Sequence, residues 1–243
     1  MEELSVIEIA QGVGSLIFVI FTTIVGLIII SKYFEHKNKT FLGVGVAWIG
    51  MAFPWLGDAI NIILYFSKLP YLSDFAYLFI VNAFIPLFVI LWLSSLLTLM
   101  NYEKKNIIII ITIILSIIFE IAFLFLIFND VNNIGTRKGP FYYEFSVFID
   151  IYMIIDIIVV LYTGLTFAII SIKSQNEEVK LKGKILLIAF ILFTIGAILD
   201  SQIHNMEATM VLSIRILLAF SSFMFYIGFI LPKWARTILL KSE

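Results

Sequence analysis

The fold of this chain is decided by stretches such as residues 107–128, IIIIITIILSIIFEIAFLFLIF, in which Glu120 is the only charged side chain. As a helix these residues would reach about 33 Å, enough to cross a hydrocarbon core about 30 Å thick. A strand of a membrane barrel would instead alternate polar and apolar side chains over about ten residues. The stretch therefore predicts a transmembrane helix.

Seven stretches of this kind are separated by clusters of charged residues. Helix is the conformation expected for each, because a helix satisfies its own backbone hydrogen bonds inside lipid. We predict an all-α chain that forms one domain over residues 1–243, a bundle of seven transmembrane helices. The predicted spans are residues 9–31, 41–66, 75–98, 107–128, 145–172, 185–203 and 209–231.

The overall composition agrees with a membrane protein. Of the 243 residues, 62% are hydrophobic and 14% are charged, whereas a soluble domain has about 25% charged residues. The net charge of −1 gives no indication of a nucleic-acid partner. The chain lacks cysteine and has two histidines, His36 and His204, which are too few for most intramembrane metal sites. The predicted surroundings are the lipid bilayer.

Lysine and arginine residues near the span ends predict the orientation. With the N-terminus outside, twelve bases lie in cytoplasmic segments and three lie in outer segments, as the positive-inside rule requires. The first span follows Glu2, Glu3 and Glu8 rather than basic residues, so we expect it to be retained and not cleaved as a signal peptide. The prediction is a multi-pass protein of the cell membrane, with its N-terminus outside and its C-terminus in the cytoplasm.

The longest predicted outer loop, residues 129–141, is rich in residues that favour turns. We expect this loop either to be mobile or to form a lid. The turn-favouring residues are Asn132, Asn133, Gly135, Gly139 and Pro140.

Six charged side chains fall within the predicted spans. Placing an ionised group at bilayer depth costs a few kcal/mol or more, so such residues are expected to face the bundle interior, a partner or a water-filled cavity. The rise per helical residue puts all six in the outer half or near the midplane. This asymmetry predicts a hydrated outer vestibule above a sealed apolar inner half. The six are Asp58, Glu120, Asp150, Asp156, Asp200 and Arg215.

Arg215 is the only base at this depth. Asp200 is its nearest expected partner, because the connection between the sixth and seventh spans is short. Two hypotheses remain open: the pair is a buried salt bridge that fixes helix packing, or Arg215 has a function, in which it binds an anionic or zwitterionic ligand group or relays charge. The other acids lack a base, and we expect some of them to be protonated. The candidate ligand-binding residues are Arg215, Asp200, Asp58, Asp156, Asn61, Glu120 and Asp150.

Two prolines predict kinks near these polar residues. Pro54 stands just before Trp55, Asp58 and Asn61, which share one helical face because residues three apart are neighbours on a helix. Pro86 stands in the third span. We therefore expect a bent second span whose polar face looks into the bundle.

Seven spans with an outer N-terminus resemble the heptahelical sensors, namely the microbial rhodopsins, the G-protein-coupled receptors and the membrane regions of some prokaryotic sensor kinases. The resemblance covers the whole chain and rests on topology. Covalent retinal is excluded, because residues 209–231 contain no lysine and Arg215 does not form a Schiff base. No cofactor is predicted. Gly57-Asp58 resembles part of the motif of membrane aspartyl proteases, but Trp55 stands in the place of the first glycine of that motif.

These observations predict a receptor-type sensor rather than an enzyme. It would bind a small polar ligand in an outward-facing vestibule and signal to a separate membrane or cytoplasmic partner. The alternative is a proton or cation channel, or a small-solute transporter, that uses the intramembrane carboxylates. The shortage of ionisable groups in the inner halves argues against a continuous path. A third hypothesis is an intramembrane aspartyl hydrolase.

Overall fold

The computed structural model describes residues 3–200 and 207–240. Within this part of the chain there are ten α-helices, two short 3-10 helices and one short β-hairpin. The helices are α1 (Val6–His36), α2 (Thr40–Gly50), α3 (Leu56–Phe66), α4 (Asp74–Asn82), α5 (Ile85–Leu99), α6 (Lys105–Asn129), α7 (Val147–Ile172), α8 (Glu177–Asp200), α9 (Ala208–Ile230) and α10 (Lys233–Leu240). The strands are β1 (Gly135–Gly139) and β2 (Tyr142–Phe145).

Seven segments of the described chain are long and apolar enough to cross a membrane. They are α1, α2 with α3, α4 with α5, α6, α7, α8 and α9. The predicted seven spans are therefore confirmed, and the chain is a multi-pass integral membrane protein. The sixth span begins earlier than predicted, at Glu177. Its predicted last residues, 201–203, and the neighbouring His204 lie outside the described residues.

Two of the spans are interrupted near the prolines that predicted kinks. In the second span α2 ends at Gly50, a short 3-10 helix covers Phe53–Trp55, and α3 begins at Leu56. In the third span α4 ends at Asn82, and Pro86 stands in the first turn of α5. Proline has no backbone N–H and clashes with the preceding turn, so a regular helix cannot pass through it unbent.

The spans form a ring that closes between the first and the last. Helix α1 contacts α2 and α3 on one side and α9 on the other, while α8 packs between α7 and α9. Helix α5 contacts α2, α6 and α7. Helix α6 is the least buried span, and Ile110, Ile114 and Ile118 on its surface are each more than half exposed. Such an apolar surface suits lipid hydrocarbon rather than water.

The two ends of the bundle differ in charge and structure. We call the end that carries β1, β2 and the start of α1 the hairpin end. We call the opposite end, with α10 and the α1–α2, α5–α6 and α7–α8 connections, the basic end, because lysines cluster there at residues 37–39, 104–105 and 173–184. Which end faces the cytoplasm remains a prediction.

An aromatic layer fills the bundle interior towards the basic end. Trp48 of α2 stacks on Phe225 of α9, with ring centroids 3.5 Å apart and planes inclined by 9°. Trp92 of α5 meets Phe190 of α8 edge-on at 5.7 Å, and all four rings are at most 2% exposed. The half of the bundle towards the basic end therefore contains a packed aromatic layer that joins four spans, and its identity as the inner half remains a prediction.

The prediction of an all-α chain is wrong for residues 135–145. Here β1 and β2 form an antiparallel hairpin in which Thr136 pairs with Glu144 and Arg137 pairs with Tyr143. Pro140 and Phe141 form the turn in which the chain reverses direction, directly after Gly139 at the end of β1. This segment lies between two spans, so its backbone can pair across strands without the constraint that lipid places on a membrane segment.

Candidate arginine–aspartate site

One polar cluster lies near the hairpin end, inside the ring of helices. We call it the arginine cluster. Five spans contribute to it, and its two central side chains, Arg215 and Asp58, belong to residues that are each 4% exposed. The members are Ser15 of α1, Trp55 and Asp58 of the second span, Tyr77 of α4, Asp200 of α8 and Arg215 of α9.

Arg215 is shared between two carboxylates. Its Nη1 lies 3.1 Å from Oδ2 of Asp200, and its Nη2 lies 3.7 Å from Oδ2 of Asp58. The guanidinium carbon also lies 5.7 Å from the ring centroid of Trp55, within the range of a cation–π interaction. The predicted Arg215–Asp200 pair is therefore present. Asp58, another of the predicted ligand-binding residues, is a second partner of Arg215.

Asp58 receives hydrogen bonds on both of its oxygens. The Tyr77 hydroxyl donates to Oδ1 at 2.5 Å, and the Ser15 hydroxyl donates to Oδ2 at 3.1 Å. Tyr77 can approach because Gly57 has no side chain: a Cβ at residue 57 would lie 2.5 Å from the tyrosine ring. In this structure the Gly57-Asp58 pair therefore serves the close approach of two spans.

Asp200 and Arg215 each have buried polar atoms without a hydrogen-bond partner among the described residues. We call these atoms unmatched. Oδ2 of Asp200 accepts a hydrogen bond from the Trp55 indole at 2.6 Å, but its Oδ1 is buried and has no hydrogen-bond partner among the described residues. Nε and Nη1 of Arg215 are also buried without a hydrogen bond in that part of the chain. Nη1 is close enough to Asp200 for an ion pair, but its N–H bonds are not aligned with the carboxylate.

The hairpin covers the second and third spans at the hairpin end of the bundle. Asn61, one turn beyond Asp58, donates from Nδ2 to the Pro140 carbonyl at 2.8 Å and accepts from the Leu72 amide at 2.9 Å. Phe141 packs against Gly12 of α1, where an added Cβ would lie 2.9 Å from its ring. The loop is therefore an ordered hairpin packed against α1 and α3, and a role as a lid remains a prediction. Asn61, a predicted ligand residue, holds the hairpin in place.

A second set of contacts holds the hairpin to the start of α4. We call it the latch. Nε of Arg137 donates to Asp74 at 2.6 Å, and the Tyr143 hydroxyl donates to the same carboxylate oxygen at 2.7 Å. Burial and this hydrogen bond to Asp74 raise the pKa of Tyr143 well above the usual tyrosine value. The Tyr143 ring stacks on Tyr77, with centroids 4.2 Å apart, so the latch contacts the residue that holds Asp58.

The arginine cluster is closed in this structure. The side chains of Arg215 and Asp58 are 5% and 6% exposed, and that of Asp200 is 12% exposed. An open outer vestibule therefore remains a prediction. A cavity of about 180 Å³ lies instead at the basic end, where Phe41, Lys182 and Phe229 are among the residues that line it.

The other predicted acids do not join the arginine cluster. Glu120 of α6 and Asp156 of α7 lie beside Tyr152, whose ring stacks on Phe119 at 3.5 Å. Each of these two acids keeps one buried oxygen without a hydrogen-bond partner in the described chain. Asp150 is exposed in the first turn of α7. Across the described residues, no group of three histidine, aspartate or glutamate side chains could hold a metal ion.

Three members of the arginine cluster, Ser15, Trp55 and Tyr77, are not among the predicted ligand-binding residues, although Trp55 is predicted to share a helical face with Asp58. Ser15 carried a signal, because it follows Gly12 and Gly14, and small residues in a membrane helix mark a close approach of two helices. Tyr77 carried no such signal, since tyrosine is common throughout this chain and its hydroxyl reaches Asp58 only through the packing of α4 on Gly57.

Comparison with models of protein families, with curated proteins and with solved structures gives no match. The fold and the site together define a class: an integral membrane protein of seven spans with a buried arginine–aspartate cluster beneath a β-hairpin.

Proposed function

We propose that this protein is a receptor-type sensor that binds a small polar ligand at the arginine cluster and signals to a separate partner. One observation carries the proposal: buried Arg215 has two nitrogens without a hydrogen bond, next to an Asp200 oxygen that is also unmatched. A buried polar group without a partner costs roughly 1–3 kcal/mol, and more when the group is charged. A ligand that matches these atoms would recover that free energy.

A purely structural ion pair is the competing explanation, and the geometry favours it less. Structural buried pairs are stabilising when the remaining donors and acceptors are also satisfied. Asp58 meets this condition through Tyr77 and Ser15. Arg215 and Asp200 do not meet it, as expected of side chains whose polar atoms serve to bind a ligand.

The position of the arginine cluster suits signalling. Its residues come from the first, second, third, sixth and seventh spans, so a ligand that changes the Arg215 contacts would change how these spans pack. Towards the basic end, Thr22 of α1 and Ser222 of α9 share a hydrogen bond of 2.9 Å, and the aromatic layer joins Trp48 to Phe225. Small helix shifts along such a packed interior are an established way of passing a signal.

Transport of protons or cations is the second candidate function. Glu120 and Asp156 favour it, because each keeps a buried carboxylate oxygen unmatched. The aromatic layer argues against it, since Trp48 and Phe225 fill the interior that a continuous polar path would need. The test is proton and cation flux in liposomes. Flux that Asp156→Asn abolishes would replace the sensor proposal with a transporter.

An aspartyl hydrolase is disfavoured by the same geometry. Such chemistry needs two carboxylates that share a proton, whereas Asp58 and Asp200 each lie against the guanidinium of Arg215. The proposal therefore contains no catalytic step.

The proposed function is tested by thermal stability of the purified full chain in lipid nanodiscs, against a panel of small anions, cations and zwitterions. We expect at least one compound to raise the Tm of the wild type but not that of Arg215→Lys, because lysine keeps the charge and loses the planar donor fork. Arg236→Lys is the matched control, since Arg236 is 60% exposed and lies in α10 at the basic end. A panel with no Arg215-dependent effect would contradict the proposal.

A further inference from the structure

The unmatched atoms of the arginine cluster are of opposite kinds. Nε and Nη1 of Arg215 are donors on a cation, and Oδ1 of Asp200 is an acceptor on an anion. The remaining carboxylate oxygens of the cluster already accept hydrogen bonds from Tyr77, Ser15 and Trp55. A ligand that completes this site must therefore bring both an acceptor and a donor.

The two unmatched groups are within reach of one small molecule. Nη1 of Arg215 lies 3.1 Å from Oδ2 of Asp200, and Oδ1 is bonded to the same carbon as Oδ2. The ligand groups that contact them must therefore be only a few covalent bonds apart. Part of the surrounding surface is apolar, because Trp55 lies against Arg215 on one side and meets Phe18 edge-on at 4.9 Å.

Charge decides between the classes of ligand. The cluster holds two carboxylates and one guanidinium, so a simple carboxylate would add negative charge to a buried site that already has an excess of acid. A simple ammonium would leave the donors of Arg215 unmatched. A zwitterion adds no net charge and matches both groups.

We propose that the arginine cluster binds a small zwitterion whose carboxylate contacts Arg215 and whose ammonium contacts Oδ1 of Asp200. This inference rests on the proposed function and names the ligand class of the same site. The ligand is short, because the unmatched atoms of Arg215 and Asp200 lie close together in a closed cluster. It enters from the hairpin end, where Asn61 holds the Pro140 carbonyl, so entry requires the hairpin to move.

The experiment measures binding to the full wild-type chain in nanodiscs by calorimetry, with two matched sets of probes. The first set is glycine, acetate and methylamine, and the second is β-alanine, propionate and ethylamine. We expect one zwitterion to bind at least about tenfold more tightly than the carboxylate and the amine of its own set, as removing one charge-assisted hydrogen bond implies.

Asp200→Asn supplies the second arm, because asparagine keeps the shape and removes the negative charge. We expect this variant to bind the zwitterion and the carboxylate of each set with similar affinity, because the partner of the ammonium group has lost its charge. Asp130→Asn is the matched control, since Asp130 is exposed in the connection after α6, and it should keep the tenfold preference. If Asp200→Asn does not fold, the comparison within each probe set on the wild type still decides.

The outcomes separate the two proposals. Arg215-dependent binding of a carboxylate that equals or exceeds its zwitterion overturns the zwitterion inference and leaves the proposed function standing. The same holds for an amine that binds as tightly as its zwitterion. Absence of any Arg215-dependent binding contradicts both, and the unmatched atoms would then hold water only.

Discussion

Gly14 of α1 and Arg215 of α9 pack so closely that a Cβ on Gly14 would lie 2.6 Å from Cγ of Arg215 and 2.9 Å from its Cβ. The next residue along α1 is Ser15, whose hydroxyl donates a hydrogen bond to Asp58. The same short stretch of α1 therefore makes room for the arginine stem and also supplies a hydrogen bond to the carboxylate that faces it.

Gly14→Ala is predicted to move the Arg215 side chain. Over-packing a filled interior costs roughly 1–3 kcal/mol, so we expect a lower unfolding free energy and a loss of Arg215-dependent ligand binding. Gly139→Ala in the hairpin is the control, because a Cβ there would meet only the Cβ of Tyr142, at 4.0 Å. Both variants are compared by thermal unfolding and calorimetry. Equal stability of Gly14→Ala and the wild type would contradict the packing described for Arg215.

Tyr77→Phe tests the hydrogen bond to Asp58 separately from ring packing. The variant keeps the ring that stacks on Tyr143 and removes the hydroxyl that donates to the carboxylate. A hydrogen bond to a charged group contributes about 1.5–3 kcal/mol, and we expect a loss of that size in the free energy of unfolding. Tyr162→Phe provides the comparison, because Tyr162 is 71% exposed on the surface of α7. Similar stability of the two variants would show that Asp58 does not depend on Tyr77.

The latch is expected to control local opening of the hairpin more than global stability. Arg137→Gln removes the ion pair between Arg137 and Asp74. Because these side chains are 28% and 45% exposed, the loss in global unfolding free energy should stay below about 1 kcal/mol. Hydrogen exchange of residues 135–145 should nevertheless become faster. Lys138→Gln removes the neighbouring pair with Glu144 and should leave exchange near the wild-type rate. The latch would be refuted by equal exchange in the two variants.

The pH dependence of the latch follows from the raised pKa of Tyr143. A pKa that is higher in the folded state favours the neutral hydroxyl, so the stabilisation is present below about pH 10, the usual tyrosine value. It is lost only as the pH rises through the raised pKa. We expect the difference in tyrosinate absorbance between the wild type and Tyr143→Phe to appear above pH 10. In the Asp74→Asn background the titration of Tyr143 should begin at a lower pH, because Asp74 helps to raise its pKa. An absorbance difference that appears at or below pH 10 would contradict this assignment.

Most of the bundle could be predicted from the sequence, for a physical reason. A segment that crosses lipid must be long, apolar and helical, so residues 107–128 specify their own structure without help from the rest of the chain. Pro54 and Pro86 likewise act locally, and the breaks appear beside them. The hairpin at residues 135–145 was not predicted, because outside lipid the strand pairing depends on contacts such as Arg137 with Asp74, which lie far apart in sequence.

The site was predictable in part. The pairing of Arg215 with Asp200 follows from the short connection between α8 and α9 and from their similar depth. The contact with Asp58 depends instead on how α3 and α9 lie around the ring, and helical phase alone does not give that arrangement. For the same reason Glu120 and Asp156, although at suitable depth, lie between other spans.

The indole of Trp55 donates to the carboxylate that pairs with Arg215 and lies within 5.7 Å of the guanidinium carbon. Its emission therefore depends on the charge distribution inside the cluster. With Trp48, Trp92 and Trp234 replaced by phenylalanine, the chain would carry a single tryptophan, at the site itself, which can be excited selectively at wavelengths that tyrosine does not absorb. Occupancy of the cluster could then be followed in real time, in a bilayer and without a label.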